Sequence, residues 1–531
     1  VTDSDAPAPP PRPAARGLLL RRPSTRGRWA PAIRAGAALA ISSSILLACG
    51  FGHDSLLAAL GVFAALYGEG RPYRFRWKAV LTAGSLLLAA AALFGLWGSA
   101  IGPLASIPQM IGVVAGLTVF TAVTVFVTSA LRLGPPGPYF FVLVSGIGGL
   151  VGQHGVPIDH LALFVATGVV VALAMSMAAA LWRPHGPETA ATIAAVTAAE
   201  RYLAENADAA PAARHGVALS TLRAWSVLHD AAATDTELAQ RLWTSHQKIH
   251  GAEVATFVVP LPRPSILRRL QSASRLGSHA TISALRASSA AAIAGTIAVV
   301  SGLGRPDWAV LGAALVLQMG PDRVHGTVRG VHRVAGTVVG VGLFAGLYAL
   351  DLPIAALLAV LTVLNVLIEL TISTNYAIAV MLITPLSLLI GGPSTPLAEQ
   401  VRDRVLETVL GVGVALITAW LLLPRAHRRT LRDADAAALA AGRHLVDDGA
   451  ANPVDSPEMR VDRRDLQWQL LEAELAATDS ACDDPDWARA YWPEHARVRD
   501  LGYEVLGACW RTPLGLPIDA QTRAHLTERI G

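Results

Sequence analysis

Twelve apolar runs alternate with polar connections along the chain. Six lie at about residues 32–49, 54–68, 79–97, 108–129, 138–152 and 160–182. Six more lie at about 286–302, 307–320, 334–350, 353–370, 374–391 and 404–423. Helices of roughly 17–22 apolar residues cross a bilayer. The second, fifth and eighth runs are short, and must tilt, re-enter or be shielded by neighbours. Between the two sets, residues 183–285 are polar and Ala-rich, with breaks near Pro211 and at Pro260-Leu261-Pro262-Arg263-Pro264; this pattern predicts two or three helices. Residues 425–531 are polar again, with helical apolar spacing over 465–477 and 486–507 that suits packing against the central segment. Residues 1–28 carry Pro, Ala and Arg without periodicity and predict a disordered basic arm.

The division is therefore a basic arm (1–28), a six-span repeat (29–182), a helical insert (183–285), a second six-span repeat (286–424) and a helical tail (425–531). The fold class is an all-α polytopic membrane protein with about twelve transmembrane helices in two six-helix repeats. The halves match at an offset of about 252. Gly52-His53-Asp54 parallels Gly304-Arg305-Pro306-Asp307, Arg76 falls near the counterpart of Arg329, and Tyr139-Phe140-Phe141 parallels Asn375-Tyr376. An even span number keeps both repeats the same way up, related by an axis along the membrane normal, with a transport path between them. Leu46-Leu47-Ala48-Cys49 resembles a lipoprotein signal, but the matching run of the second half cannot be a signal, so the first run reads as a span.

Composition agrees: 53% of residues are hydrophobic and 15% charged, with mean hydropathy +0.46, against about 25% charged in soluble domains. The net charge of +4 is unevenly placed. Arg71, Arg74, Arg76 and Lys78, then Arg132 and Arg183, fall on the same side as the arm. So do Arg268, Arg269, Arg275 and Arg286, then Arg323, Arg329 and Arg333, and finally Arg425, Arg428 and Arg429. The positive-inside rule places both termini in the cytoplasm, in a plasma (inner) membrane. The arm suits anionic headgroups, so membrane lipids are expected partners. Cys49, Cys482 and Cys509 show neither metal spacing nor a disulfide framework. His246-x3-His250 with Glu253 has metal-ligand spacing, but on a polar helix this reads as chance. No phosphate-binding loop, nucleophile elbow, dinucleotide fingerprint or basic face interleaved with aromatics occurs. The expectation is no enzyme, no cofactor, no metal and no nucleic acid.

The candidate chemistry sits where polar residues enter apolar runs. Arg329, Arg333, Gly336 or Thr337, and Gly340 form one helical stripe; Arg404, Thr408, Gly411 and Ala415 form another. Guanidinium groups bind carboxylates bidentately and stay charged, so Arg329, Arg333 and Arg404 are candidate substrate ligands. The plainer reading is orientation and lipid phosphate binding. Asn375 and Tyr376 open a run interrupted by Thr384-Pro385, where a broken helix lines a site; with Tyr139 they complete the substrate-binding set. Tyr139, Tyr376 and Trp308 could stack on an aromatic ring, though Trp308 reads more simply as an interfacial anchor. Glu407 lies one turn inside the last run, a proton-coupling candidate or half of an ion pair with Arg404. Glu69 and Glu369 read as solvated at span ends, and Asp54 and Asp307 as helix caps. Gly148-x3-Gly152 and Gly336-x3-Gly340 offer close-packing faces, to helices of this chain or to a second copy in a homo-oligomer.

Three stretches carry a family resemblance: Arg329-x3-Arg333-x2-Gly336-Thr337-x2-Gly340, Asn375-Tyr376-Ala377 leading to Thr384-Pro385-Leu386, and Arg404-x3-Thr408-x2-Gly411. In this order the second half resembles the fusaric acid resistance (FUSC) family of membrane proteins, which includes aromatic acid exporters. In the first half Pro135-Pro136-Gly137-Pro138-Tyr139-Phe140-Phe141 looks like a variant of the same pattern, while the Arg/Gly-Thr motif is degraded. The resemblance, over about residues 30–425, implies an inner-membrane exporter of small organic, aromatic acids. Proton coupling through Glu407 would drive it. Two other readings are an anion channel, since plant aluminium-activated malate channels resemble this layout, and a structural or assembly protein of the cell envelope.

Overall fold

The computed structural model describes residues 7–12, 14, 17, 19, 27–134, 136–204, 211–251, 257–318, 322–372, 374–390 and 396–530. Arg16, Arg21, Arg22 and Arg26 of the basic arm, Pro135 and Glu253 lie outside the described residues. Among those described the secondary structure is helical throughout, in twenty α-helices. Eight are long and apolar enough to cross a membrane: α1 (Trp29–Ala48), α3 (Tyr73–Ile101), α4 (Ile107–Ala130), α6 (Ile158–Ala178), α11 (His279–Val300), α13 (Arg323–Ala349), α14 (Ile354–Thr371) and α16 (Leu397–Leu421). Several are followed by a glycine at positive φ, which side chains rarely adopt: Gly50 after α1, Gly102 after α3 and Gly302 after α11.

Four shorter elements lie inside this set. They are α2 (Ala59–Val62, flanked by 3₁₀ turns Gly52–Ala58 and Phe63–Gly68), α5 (Tyr139–Gln153), α12 (Pro306–Leu317) and α15 (Tyr376–Ile390). The eleventh apolar run, which reads as a full span in sequence, is thus a 15-residue helix. Every residue of α12 from Pro306 to Leu317 except the half-buried Asp307 is buried. A helix apolar all round belongs in an interior. At 1.5 Å per residue α12 is about 18 Å long, well short of the roughly 30 Å hydrocarbon core. Its last carbonyls therefore fall inside the membrane and need donors from the protein.

The two halves pack alike. The third helix of each lies on the fifth (α3 on α5, α13 on α15) and on the sixth (α3 on α6, α13 on α16). The fourth helix crosses to the other half, α4 onto α11 and α14 onto α1. The short elements meet at the centre, α5 against α12 and α15 against the 3₁₀ turn Gly52–Ala58. The same backbone contact recurs in both halves. A Cβ on Gly168 of α6 would strike the Ala58 carbonyl, and one on Gly411 of α16 would sit 2.5 Å from the Ala309 carbonyl. The small-residue stripes serve these internal contacts. Gly336 and Gly340 bring α13 against Ala377 and Met381 of α15, and Gly148 and Gly152 bring α5 against Ala91 and Gly95 of α3. Neither face is left open for a second copy.

The polar segments form one extramembrane body. The segment between repeats contributes α7 (Gly186–Ala204), α8 (Pro211–Ala231), α9 (Glu237–His250) and α10 (Ile266–Ala273). The tail contributes α17 (Ala426–Asp448), α18 (Pro457–Asp483), α19 (Pro485–Arg511) and α20 (Ala520–Ile530). Trp225 and Trp243 from the first group pack with Trp510 from the second. A cavity of about 670 Å³ separates this body from the membrane helices, bounded by Gly137, Pro138 and Gln318 on one side and by Trp468, Glu472 and Asp479 on the other.

Candidate functional site

Helix α13 starts at Arg323, at the end that faces the extramembrane body, and α16 starts at Leu397, at the opposite end. Arg333 lies ten residues into α13 and Arg404 seven into α16, roughly 15 and 10 Å along their axes. The two arginines thus approach from opposite faces and meet near mid-membrane, within electrostatic range of one another. Each is 1% exposed. The guanidinium of Arg333 faces the hydroxyls of Tyr139 and Tyr376, the first residues of α5 and α15. None of its three nitrogens, and neither tyrosine hydroxyl, is aligned for a hydrogen bond with a described residue. Arg404 lies with Cζ 3.5 Å from the ring centroid of Trp308, and its three nitrogens are likewise without a partner. The hydroxyls of Thr337 and Thr408, both 1% exposed, are also unsatisfied.

Two positive charges, Arg333 facing only two neutral phenol hydroxyls and Arg404 with no hydrogen bond among the described residues, are costly in a membrane interior: an effective penalty of several kcal/mol per ion remains after relaxation. Such a cost is the mark of a group kept for a ligand. The donors at this centre are two guanidinium forks, two phenols and two threonine hydroxyls, beside the faces of Trp308 and two tyrosines. That set suits an anion with a planar, apolar body.

Other residues singled out in the sequence are already engaged. Arg329 donates from Nη2 to the Val316 carbonyl at 3.1 Å, satisfying one of the stranded carbonyls at the C-terminal end of α12. Asn375 caps α15, its Oδ1 accepting from the N–H groups of Ala377 (3.1 Å) and Ile378 (3.2 Å). Glu407, 0% exposed, accepts from the Arg305 backbone N–H at 2.6 Å through Oε1, while Oε2 has no partner. It makes no ion pair with Arg404. Arg305 instead forks Asp307, at 3.0 and 2.8 Å, so Asp307 is an ion-pair partner rather than a helix cap. Asp403 accepts from the Gly304 N–H at 3.1 Å. These contacts tie the 304–307 loop to α16 and close the site toward that face.

Two readings are corrected by the packing. Trp308 is no interfacial anchor: it is 2% exposed and lies under Arg404. Glu369 is not solvated. It is 5% exposed, and Arg28 donates to its carbonyl and pairs with its carboxylate at 3.5 Å. Arg28 also pairs with Glu69 at 3.7 Å. The part of Trp308 was foreshadowed by the recurrence of its loop, Gly304-Arg305-Pro306-Asp307, in the repeat pattern; the inward turn of its ring had no sequence signal.

The first repeat lacks this chemistry. Matching Gly168 to Gly411 and Ala58 to Ala309 sets Leu161 where α16 has Arg404, Phe164 where it has Glu407, and Leu57 where α12 has Trp308. All three are at most 2% exposed. One half carries charge into the centre, and the other presents it with an apolar wall.

Comparison with known proteins agrees with this division. Residues 292–418, which include Arg333, Tyr376, Arg404 and Glu407, match the family described as fusaric acid resistance protein-like. Over 564 aligned residues the chain is 24% identical to the "Uncharacterized membrane protein YvaC" of Bacillus subtilis (strain 168), covering 90% of this chain and 85% of that one. A 93-residue stretch is 38% identical to "Zinc transporter ZIP5" of Mus musculus, covering 18% of this chain and 17% of that one, too little of either to bear on the fold. No solved structure matches the chain.

Proposed function

We propose that this chain, a transporter-type membrane protein of the fusaric acid resistance-like family by the match across its second repeat, exports small aromatic carboxylates from the cytoplasm. The observation that carries this reading is the pair Arg333 and Arg404, buried at mid-membrane without a carboxylate partner among the described residues and flanked by Tyr139, Tyr376 and Trp308. The 670 Å³ cavity, bordered by Pro138 beside Tyr139, supplies an antechamber on the side of the extramembrane body. The basic connections on that same side argue for a cytoplasmic orientation of the body and of both termini, in an inner membrane. Glu407, whose Oε2 has no partner among the described residues, takes the proton-coupling role: its protonation would alter the field at the anion site.

The test is uptake of labelled benzoate into inverted vesicles, with and without a pH gradient. The native protein gives saturable, gradient-dependent uptake. Arg333→Gln loses uptake, and Glu407→Gln, which can still accept the Arg305 N–H, retains uptake but not its gradient dependence. Unsaturable uptake indifferent to the gradient would indicate a channel. Native-level uptake by a well-folded Arg333→Gln would remove the site assignment.

A further inference from the structure

The extramembrane body contains a second anion-suited centre, separate from the membrane site. A cavity of about 70 Å³ lies between α8, α9, α18 and α19. That volume holds about five water-sized centres, at 10–15 Å³ each. Four arginines border it: Arg214, Arg460, Arg463 and Arg464; no Asp or Glu does. Arg464 is paired with Asp465 at 3.1 Å. Arg460 donates to the Val259 carbonyl at 2.9 Å and Arg214 to the Tyr503 carbonyl at 3.3 Å. Arg463 has neither ion pair nor hydrogen bond among the described residues. It is 8% exposed, its Nε is buried without a partner, and its Cζ lies 4.5 Å from the Trp510 ring centroid.

Neutral donors converge on the same space. Trp225 Nε1, His246 Nδ1 and His250 Nδ1 are each buried without a hydrogen-bond partner among the described residues. The walls between them are aromatic: His246 lies 4.6 Å from Trp510 between ring centroids, and Trp225 and Tyr503 border the opposite sides. The pair His246 and His250, spaced like metal ligands, is here part of a cavity whose remaining polar groups are cationic. A divalent cation would meet four guanidinium groups and no carboxylate, so the electrostatics disfavour it. Burial pushes the His246 imidazole down to about 4, so it stays neutral beside these arginines.

We propose that this cavity binds a small organic monoanion with a planar apolar body, its carboxylate on Arg463 and its ring against Trp510. The ligand would supply the missing countercharge and the acceptors that Arg463 and Trp225 lack. The site has a structural route to the membrane centre. Helix α18 carries Arg463 near one end and Asp483 at the other, and Asp483 accepts from the Arg323 backbone N–H at 2.7 Å and pairs with its Nε at 3.3 Å. Arg323 is the first residue of α13, the helix that carries Arg333.

Equilibrium dialysis of labelled benzoate against the full chain in nanodiscs tests this, read together with tryptophan fluorescence. Benzoate should bind and quench, Arg463→Met should weaken this site at least tenfold, and the double variant Arg333→Gln/Arg404→Gln should retain it. Trp510→Leu should abolish most of the quench. If Arg463→Met does not fold, Arg463→Lys, which keeps the charge but loses the fork, should weaken binding several-fold. Retention of native binding and quench in the Arg463 variants overturns the proposal. So does loss of all binding in the Arg333/Arg404 variant, which would leave the membrane centre as the sole site. Binding of inorganic phosphate in preference to benzoate overturns the planar-anion assignment.

Discussion

Arg404→Met should make the protein more stable and less active, the reverse of what a structural arginine would give. Met is close to Arg in volume, ends where Arg has Nε, and puts apolar atoms beside Trp308. Replacing buried charges by well-packed apolar residues of similar volume is commonly worth about 1–4 kcal/mol, because the desolvation penalty disappears. Arg404 has no ion pair or hydrogen bond to lose, only its contact with the Trp308 ring at 3.5 Å. A desolvated cation–π contact of this kind contributes about 2 kcal/mol. A charge with no hydrogen bond belongs in the upper part of that range, so the net expectation is stabilisation by up to about 2 kcal/mol. Thermal unfolding of the purified protein in detergent, followed by intrinsic fluorescence, should place the variant above the native chain. Vesicle uptake should fall at least tenfold in the same variant. Saturating benzoate supplies an internal control: at a hundred times its Kd a ligand stabilises by about 2.7 kcal/mol, so the native protein should gain thermal stability from the membrane site and the variant should gain less. An unfolding temperature below that of the native chain would refute the reasoning, since it would mean that Arg404 holds the fold together.

The remaining predictions concern packing and pH. Gly336→Ala should cost about 1–3 kcal/mol, because its Cβ would lie 2.5 Å from the Ala377 carbonyl and 2.8 Å from Val380 Cβ; Gly342→Ala, on the same helix with nothing within 4 Å, should be neutral by the same thermal assay. In the extramembrane body His495, 1% exposed, bridges Asp435 (2.9 Å) and Glu474 (3.2 Å). Burial works against its cation, but the two carboxylates outweigh it and raise the imidazole to about 9. Asp435, held up by burial, opposes this, and Glu474, held down by His495 despite its own burial, reinforces it; the two hydrogen bonds to the ring set the sign. A group raised in the folded state stabilises fully below its unfolded value, about 6.5, and ceases to do so as pH rises through about 9. The native chain should therefore lose about 3 kcal/mol between pH 6 and 10 that His495→Gln does not lose, measured by denaturant unfolding across that range.

The apolar periodicity was enough to place the membrane helices, because a bilayer leaves the backbone few alternatives. The arginine stripes were legible for the same reason: a charge inside an apolar run is conspicuous. What the pattern hid was partnership. Arg329 and Arg333 sit one turn apart on one stripe, yet one caps the stranded end of α12 through Val316 and the other faces the hydroxyls of Tyr139 and Tyr376. Nothing in their spacing distinguishes them, since the difference depends on how far α12, which ends at Leu317, reaches. Glu407 reads as a natural partner for Arg404 three residues away, but the 304–307 loop takes its Oε1 instead. Trp308 has the composition of an interfacial residue and the position of a core one, because α12 is too short to reach the interface on both sides. The extramembrane cavity was hidden for a related reason, as Arg463 and His246 lie more than two hundred residues apart and on separate helices.

The difference between the repeats gives the arrangement its logic. Duplication with retained packing leaves two equivalent positions at the centre, and two unpaired guanidinium clusters there would repel one another as well as each bearing a desolvation cost. Leu161, Phe164 and Leu57 remove that repulsion in the first repeat while preserving the glycine contacts that set the helix spacing. A planar acid is itself two-sided in chemistry, a carboxylate at one end and an apolar ring at the other. The charged half contributes the two arginines and the first half contributes Tyr139 and an apolar wall. On the proposed function, degradation of the basic motif in the first repeat would be part of the recognition: a second set of arginines would favour a dianion, and a second apolar wall would favour no anion at all.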